Sequence, residues 1–167
     1  MVLFIAFILS PAFSQSVKEE ATSLKRPADC GVADYDAFKN AAFTLKDDVL
    51  KTDNNYTQVT DDIGRYSTGE RPVKVDSIKS DISKVKSIKT SLKTFDDKVS
   101  SLTDEGKDLM DNVTKIKPVT KIKPATSNTK DSVKAVDLSR DLLKELSGKV
   151  DSDLETLTGL LEKTESE

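Results

Sequence analysis

This sequence predicts an all-α fold, an amphipathic bundle of four or five antiparallel helices, on three observations. Apolar residues recur at steps of three and four through long stretches, the period of a helix with one buried face. Short segments carrying Gly, Pro, Ser and Thr separate those stretches. Aromatic residues are only 5% of the 167, with no Trp. Because Phe4, Phe7 and Phe13 fall in the N-terminal leader, the core left to build is Ile, Leu and Val, and therefore narrow.

Composition also removes whole classes of chemistry. The formal charge is -3, which points to no nucleic-acid partner. His is absent and Cys30 is the single cysteine. That excludes His-based acid–base catalysis, Ser-His and Cys-His nucleophiles and most zinc sites. We expect no enzyme activity, no metal and no cofactor.

Residues 1–14 (MVLFIAFILSPAFS) begin with the apolar run Val2 to Leu9. A membrane crossing takes about 20 residues, so this run is too short to span. Ala12 and Ser14 are small residues placed for cleavage before Gln15, and the segment reads as a secretory signal peptide. No other stretch is apolar enough for a transmembrane segment, and the polar ending TESE argues against a glycolipid anchor. Residues 15–33 are polar without periodicity and read as a flexible arm. Its Lys25-Arg26 pair precedes Pro27, which hinders dibasic cleavage. Cys30, odd in a secreted chain, serves either an intermolecular disulfide or a free thiol.

A single helical-bundle domain is expected over 34–163, followed by a polar tail, 164–167. Asp34 is a candidate N-cap. The first stripe is Tyr35, Phe38, Ala42, Leu45, Val49, Thr52, Tyr56, Val59, Ile63 and Tyr66. STGER (67–71) is a turn, and Pro72 suits the first position of the next helix. The second stripe runs from Val75 through Ile78, Ile82, Val85, Ile88, Leu92, Phe95, Val99, Leu102, Leu109 and Val113 to Ile116. Unbroken it would extend about 66 Å and overshoot its neighbours, so a break is expected near Gly106, with Thr103 capping a new helix.

A tandem hexapeptide, VTKIKPVTKIKP, fills 113–124. Each Pro blocks helix continuation, so this reads as a connection carrying four lysines. A last helix follows over about 128–163, with Val133, Val136, Leu143, Leu146, Val150, Leu154, Leu157 and Leu161 on its apolar side. Asp151, Asp153, Glu155 and Glu162 echo a calcium loop, but Thr156 replaces the required Gly and the interleaved leucines are core. Asn55 and Asn112 stand in glycosylation sequons.

Lys84, Lys86 and Lys89, with Lys93 beyond, give the second stripe a basic face. Such a face lies on an anionic membrane, is simply solvated, or pairs with the acidic side of the last helix. The stripes likewise have three readings: solid packing, a coiled coil between chains, for which the Ser- and Thr-rich flanks supply no ordered charge pairs, or an interior opening to an acyl chain or an apolar surface.

The chain resembles the fungal hydrophobic surface binding protein A family, which includes cell-wall galactomannoproteins. The resemblance rests on the short leader, on a first helix ending Val59-Thr-Asp-Asp-Ile63-Gly-Arg-Tyr66-Ser-Thr-Gly69, on a second opening with Val75, Ile78 and Ile82, and on a Leu-rich closing helix. Its high Lys content and duplicated VTKIKP depart from that family. The resemblance implies a secreted, non-catalytic, cell-wall-associated glycoprotein binding a hydrophobic surface or a fatty acid, with a secreted hydrolase as a further partner. The implied ligand lining is Phe38, Leu45, Ile63, Ile82, Ile88, Leu92, Phe95, Leu109, Leu143 and Leu146. The alternative is a secreted structural or protein-interaction module without a lipid ligand.

Overall fold

The chain is all-α. The computed structural model describes residues 11–166, arranged as α1 (Pro11–Ser23), α2 (Ala33–Ser67), α3 (Val75–Asn112) and α4 (Ile122–Glu165). Two 3-10 turns, Val113–Lys115 and Val119–Lys121, connect α3 to α4. Residues 1–10 of the expected leader lie outside the described residues, and its last four open α1.

Each long helix turns two rows of side chains inward, the residues of a row seven apart. On α2 these are Tyr35, Ala42, Val49, Tyr56 and Ile63, alongside Phe38, Leu45 and Tyr66. On α3 one row is Ile78, Val85, Leu92, Val99 and Gly106, and the other is Asp81, Ile88, Phe95, Leu102 and Leu109. On α4 they are Thr129, Val136, Leu143, Val150 and Leu157, with Ser132, Ser139, Leu146, Asp153 and Leu160.

Cross-helix pairs set the directions. Tyr35 bonds to Leu109 and Tyr66 to Asp81, so α2 and α3 are antiparallel. Lys79 pairs with Glu165 and Lys89 with Asp151, so α3 and α4 are too. α2 and α4 therefore run parallel, linked by Tyr56 to Asp153. The short α1 lies antiparallel to α2, with Lys18 on Asp53 and Lys46 on the other end of α1.

Residues 15–33 are not a flexible arm. Val17 and Ala21 are buried in the main core and Leu24 packs against it. The buried Lys46 ammonium donates to the carbonyls of Ala21 and Leu24, each at 3.0 Å. Those carbonyls lie at and just beyond the C-terminal end of α1, where the helix supplies them no N–H donors and its dipole is negative. Beyond α1 the chain is pinned at successive residues. Lys39 pairs with Asp29, Asn128 donates to the Ala28 carbonyl, and Lys121 to that of Cys30. The sequence hid this because the cations that hold the segment sit far along the chain.

The expected break in α3 is absent. α3 runs 38 residues without interruption, about 57 Å. It does not overshoot, because α4 extends 44 residues, about 66 Å, beside it. Gly106 instead marks close approach: a Cβ there would meet Phe38 Cζ at 2.9 Å and Val133 Cγ2 at 3.0 Å.

Helix starts differ from expectation as well. α2 begins at Ala33, and Asp34 lies in its first turn rather than capping it. The Asp36 carboxylate reaches back to accept the N–H groups of Cys30 and Gly31. Pro72 precedes α3, which starts at Val75. α4 starts at Ile122, earlier than expected, because Pro124 falls in the first turn, where its missing N–H costs nothing. Both VTK triplets of the repeat form 3-10 turns. Their burial differs: Val113 is buried, whereas Val119 is 73% exposed at the loop tip.

Two aspartates occupy core rows, each answered by a phenol of α2. Asp81 is fully buried and accepts from Tyr66 Oη at 2.9 Å, Arg71 Nη1 at 2.7 Å and Lys84 Nζ at 2.9 Å. Burial pushes its carboxyl up, but the hydrogen bonds from Lys84 and Tyr66 and the Arg71 charge outweigh that and hold it below the usual range. The Arg71 guanidinium also stacks 4.7 Å from the Tyr66 ring, closing the α2–α3 turn. Among the described residues, every buried side-chain N or O atom has a hydrogen-bond partner.

Two predictions follow from this packing. Gly106→Ala should lower stability by about 1–3 kcal/mol in denaturant titration through overpacking. Gly148→Ala, in an exposed stretch of α4 with nothing within 4 Å, should raise it by about 1 kcal/mol. A further prediction concerns alkali. Burial, then Asp81, pushes Tyr66 up to about 12; burial and Asp153 push Tyr56 higher still; burial raises Tyr35. In the unfolded chain the phenols ionise near about 10. Stability is therefore intact below that pH and falls as pH rises toward 12, because the unfolded state then binds fewer protons. In this Trp-free chain, tyrosinate absorbance should rise together with loss of helical circular dichroism. Ionisation near pH 10 with the helix signal unchanged would contradict the packing.

Candidate ligand groove between α3 and α4

α1 covers one side of the bundle, packing on α4 and α2. On the α3–α4 seam, two concavities follow one another along the helices. The first, about 850 Å³, is lined from α3 by Lys86, Lys89, Thr90, Leu92, Lys93 and Asp96, and from α4 by Arg140, Leu143, Lys144, Ser147 and Asp151. The second, about 480 Å³, lies between Leu102, Gly106 and Met110 of α3 and Val133 and Val136 of α4. Arg140 Nη2 donates to Thr103 Oγ1 at 2.6 Å where the two meet.

Helical spacing builds the first groove. Lys86, Lys89, Lys93 and Asp96 recur at three and four residues on one face of α3, and Arg140, Lys144, Ser147 and Asp151 do so on α4. Leu92 and Leu143, members of the inward rows, form the apolar floor. The rim is cationic. Lys89 pairs with Asp151 at 2.8 Å and Arg140 with Asp137 at 2.6 Å. Lys86, Lys93 and Lys144 have no carboxylate at ion-pairing distance among the described residues, and Asp96 is the remaining acid of the lining. Lys84 is not part of this rim, because its ammonium is committed to Asp81.

Of the ten expected lining residues, only Leu92 and Leu143 reach the groove. Phe38, Leu45, Ile63 and Leu146 are buried, and Ile82, Ile88, Phe95 and Leu109 pack half-buried against the same core. These eight fill the interior that an acyl chain was expected to enter. Sequence reasoning missed Arg140 and Lys144, whose helix was read as having an acidic polar face. Their spacing with Ser147 and Asp151 was the available signal.

Asn55 and Asn112 are both exposed. The Asn112 carboxamide donates to the Asp108 carbonyl and accepts from Lys115. Cys30 is a free thiol, only 4% exposed, in a small satellite core with Tyr35, Val113, Ile116 and Ala125. Burial pushes its pKa up. A disulfide to a second chain therefore has no accessible sulfur to use. Among the described residues no three His, Cys, Asp or Glu side chains gather as a metal site, and no helix is long and apolar enough to cross a membrane.

Compared with known proteins, the chain matches no family model, no curated protein and no solved structure. The groove's chemistry must therefore speak through its own residues: lysine methylene stems over two buried leucines, beneath a surplus of ammonium groups.

The burial of Cys30 has a direct test. A thiol reagent should label the native chain slowly and the denatured chain at once, because reaction waits for the 24–32 segment to lift. Mild oxidation of the native chain should leave it without disulfide-linked dimers. Prompt stoichiometric labelling would show that segment to be open.

Proposed function

We propose that this protein is a secreted, non-catalytic helical module that binds apolar material, laying an acyl chain of a fatty-acid-like lipid along the α3–α4 groove. The observation that carries the reading is the first groove, with Leu92 and Leu143 as its floor and lysines along both rims. An alkyl chain placed there leaves water for the methylene stems of the lysines and the edges of the two buried leucines, at about 25 cal/mol per Å² of apolar surface removed. A polar or charged end stays at the rim in contact with solvent. Nothing in this use requires a nucleophile, a base or a metal, and His is absent from the whole chain. Secretion agrees with the leader at 1–14, and the exposed sequons at Asn55 and Asn112 suit a cell-wall or extracellular glycoprotein.

The test is to secrete the full coding sequence from a eukaryotic host and compare intact mass under native and denaturing conditions. A native excess equal to an acyl lipid, lost on denaturation or regained on titration with laurate, is the expected result. Thr90→Trp and Ser147→Trp, which place an indole across the floor, should each reduce that binding with little change in thermal stability. Absence of any native excess, together with no uptake of added laurate and no depletion by hydrophobic beads, would overturn the reading.

A further inference from the structure

We infer that the groove selects amphiphiles whose head is a phosphate monoester, the lysophosphatidate class, over those with neutral, zwitterionic or singly charged heads. This rests on the groove being the binding site proposed above, and it names the head that the site takes. The argument is a charge balance. Two of the five cations around the groove are already neutralised, Lys89 by Asp151 and Arg140 by Asp137. Within the lining, Lys86, Lys93 and Lys144 then stand with Asp96, an excess of two positive charges there, while Asp97 and Asp141, one turn from Lys93 and Lys144, lie outside it. The chain as a whole is acidic, at -3, so this surplus is local rather than a sample of a basic surface.

A phosphate monoester carries about -1.5 to -2 charges near neutral pH and three acceptor oxygens. It can therefore cancel the excess and accept donors from lysines of both walls. A carboxylate cancels half of it, and a phosphocholine head brings its own cation and cancels none. The lysines stand on both walls of the groove, Lys86 and Lys93 on α3 and Lys144 on α4, while Leu92 and Leu143 lie between them. A head held by both walls leaves the single acyl chain directed along the floor. A free phosphate gains no apolar contact, so the site favours the joined molecule over its head alone.

The experiment uses the full secreted chain, delipidated, with four probes below their micelle concentrations: dodecanoyl lysophosphatidate, dodecanoyl lysophosphatidylcholine, laurate, and glycerol 3-phosphate. Binding is read by calorimetry at low and at high salt. Lysophosphatidate should bind at least about tenfold more tightly than lysophosphatidylcholine at low salt, with laurate between them and glycerol 3-phosphate weakest. The margin should narrow as salt screens the rim. It should narrow again as pH falls below about 6 and the phosphate regains its second proton.

In the triple variant Lys86→Gln, Lys93→Gln, Lys144→Gln the margin should vanish while lysophosphatidylcholine binding persists. Persistence of that binding also shows the variant to be folded. Equal affinity for lysophosphatidate and lysophosphatidylcholine would overturn the head-group inference and leave the groove reading standing. So would laurate matching lysophosphatidate, since one charge would then suffice. Glycerol 3-phosphate binding as tightly as the lipid would show an anion site with no use for a chain. Failure of every amphiphile to bind would bring down the groove reading and this inference with it.

Discussion

The core of this bundle is about one side chain thick, and most of the molecule follows from that constraint. At each level α2, α3 and α4 contribute a residue or two, and on one side Val17 and Ala21 of α1, with Leu24 just beyond it, add to them. A polar or missing side chain in one row must be answered by the helix opposite. α2 supplies the answers. Its Phe38 ring fills the space that Gly106 leaves on α3. Its Tyr66 and Tyr56 hydroxyls meet Asp81 on α3 and Asp153 on α4. Its Tyr35 bonds to the Leu109 carbonyl near the far end of α3. A chain with few rings has thus placed most of them on α2, where Tyr35, Phe38, Tyr56 and Tyr66 each meet a neighbouring helix.

Electrostatics reinforces the register. The lysines of α3 cluster in its N-terminal half, and Asp96, Asp97, Asp104, Glu105, Asp108 and Asp111 lie in its C-terminal half. That order opposes the helix dipole, which favours acids at the start and bases at the end. The C-terminal half of α4 carries Asp151, Asp153, Glu155, Glu162 and Glu165, so its charge opposes its own dipole at that end too. Antiparallel pairing brings the basic half of α3 beside the acidic half of α4, as in Lys79 with Glu165 and Lys89 with Asp151. These exposed pairs contribute little individually. A parallel or shifted alignment would juxtapose like charges along several turns, and the pattern acts chiefly against those alternatives. The cations left over from this matching are the ones that ring the groove.

The helical class and the two turns between long helices were legible, because periodicity of three and four survives in the residues that make the rows. Three features were not. Gly106 reads as a helix breaker until Phe38 and Val133 are seen against it, since propensity is local and close approach is not. Asp81 and Asp153 interrupt apolar stripes, and the sequence alone assigns them to the polar face. Their place in a seven-residue row, with tyrosines in the rows of α2, was the only hint of a buried pair. The segment from Val17 to Val32 keeps helical spacing only at Val17, Ala21 and Leu24, too short a run to read as a stripe, and its polar anchors, Lys39, Lys46, Lys121 and Asn128, lie on other elements. Of the groove, the lysines of α3 were legible as a basic face. Their partners on α4 were not, because a groove belongs to two helices and each helix was read alone.

The same thin core decides where an apolar ligand fits. Admitting an acyl chain between the helices would require separating rows already filled by Phe38, Leu45, Ile63 and Leu146. It would also part Tyr66 from Asp81 and Tyr56 from Asp153 at either end of the opening. Each buried phenol that loses its carboxylate partner costs about 1–3 kcal/mol, and the separated rows lose their packing as well. The seam between α3 and α4 imposes no such cost. Leu92 and Leu143 already reach the groove there, and α1 lies against α4 and α2 instead. A surface site on that seam can accept a chain while every internal pair stays made, so the bundle need not open in order to bind.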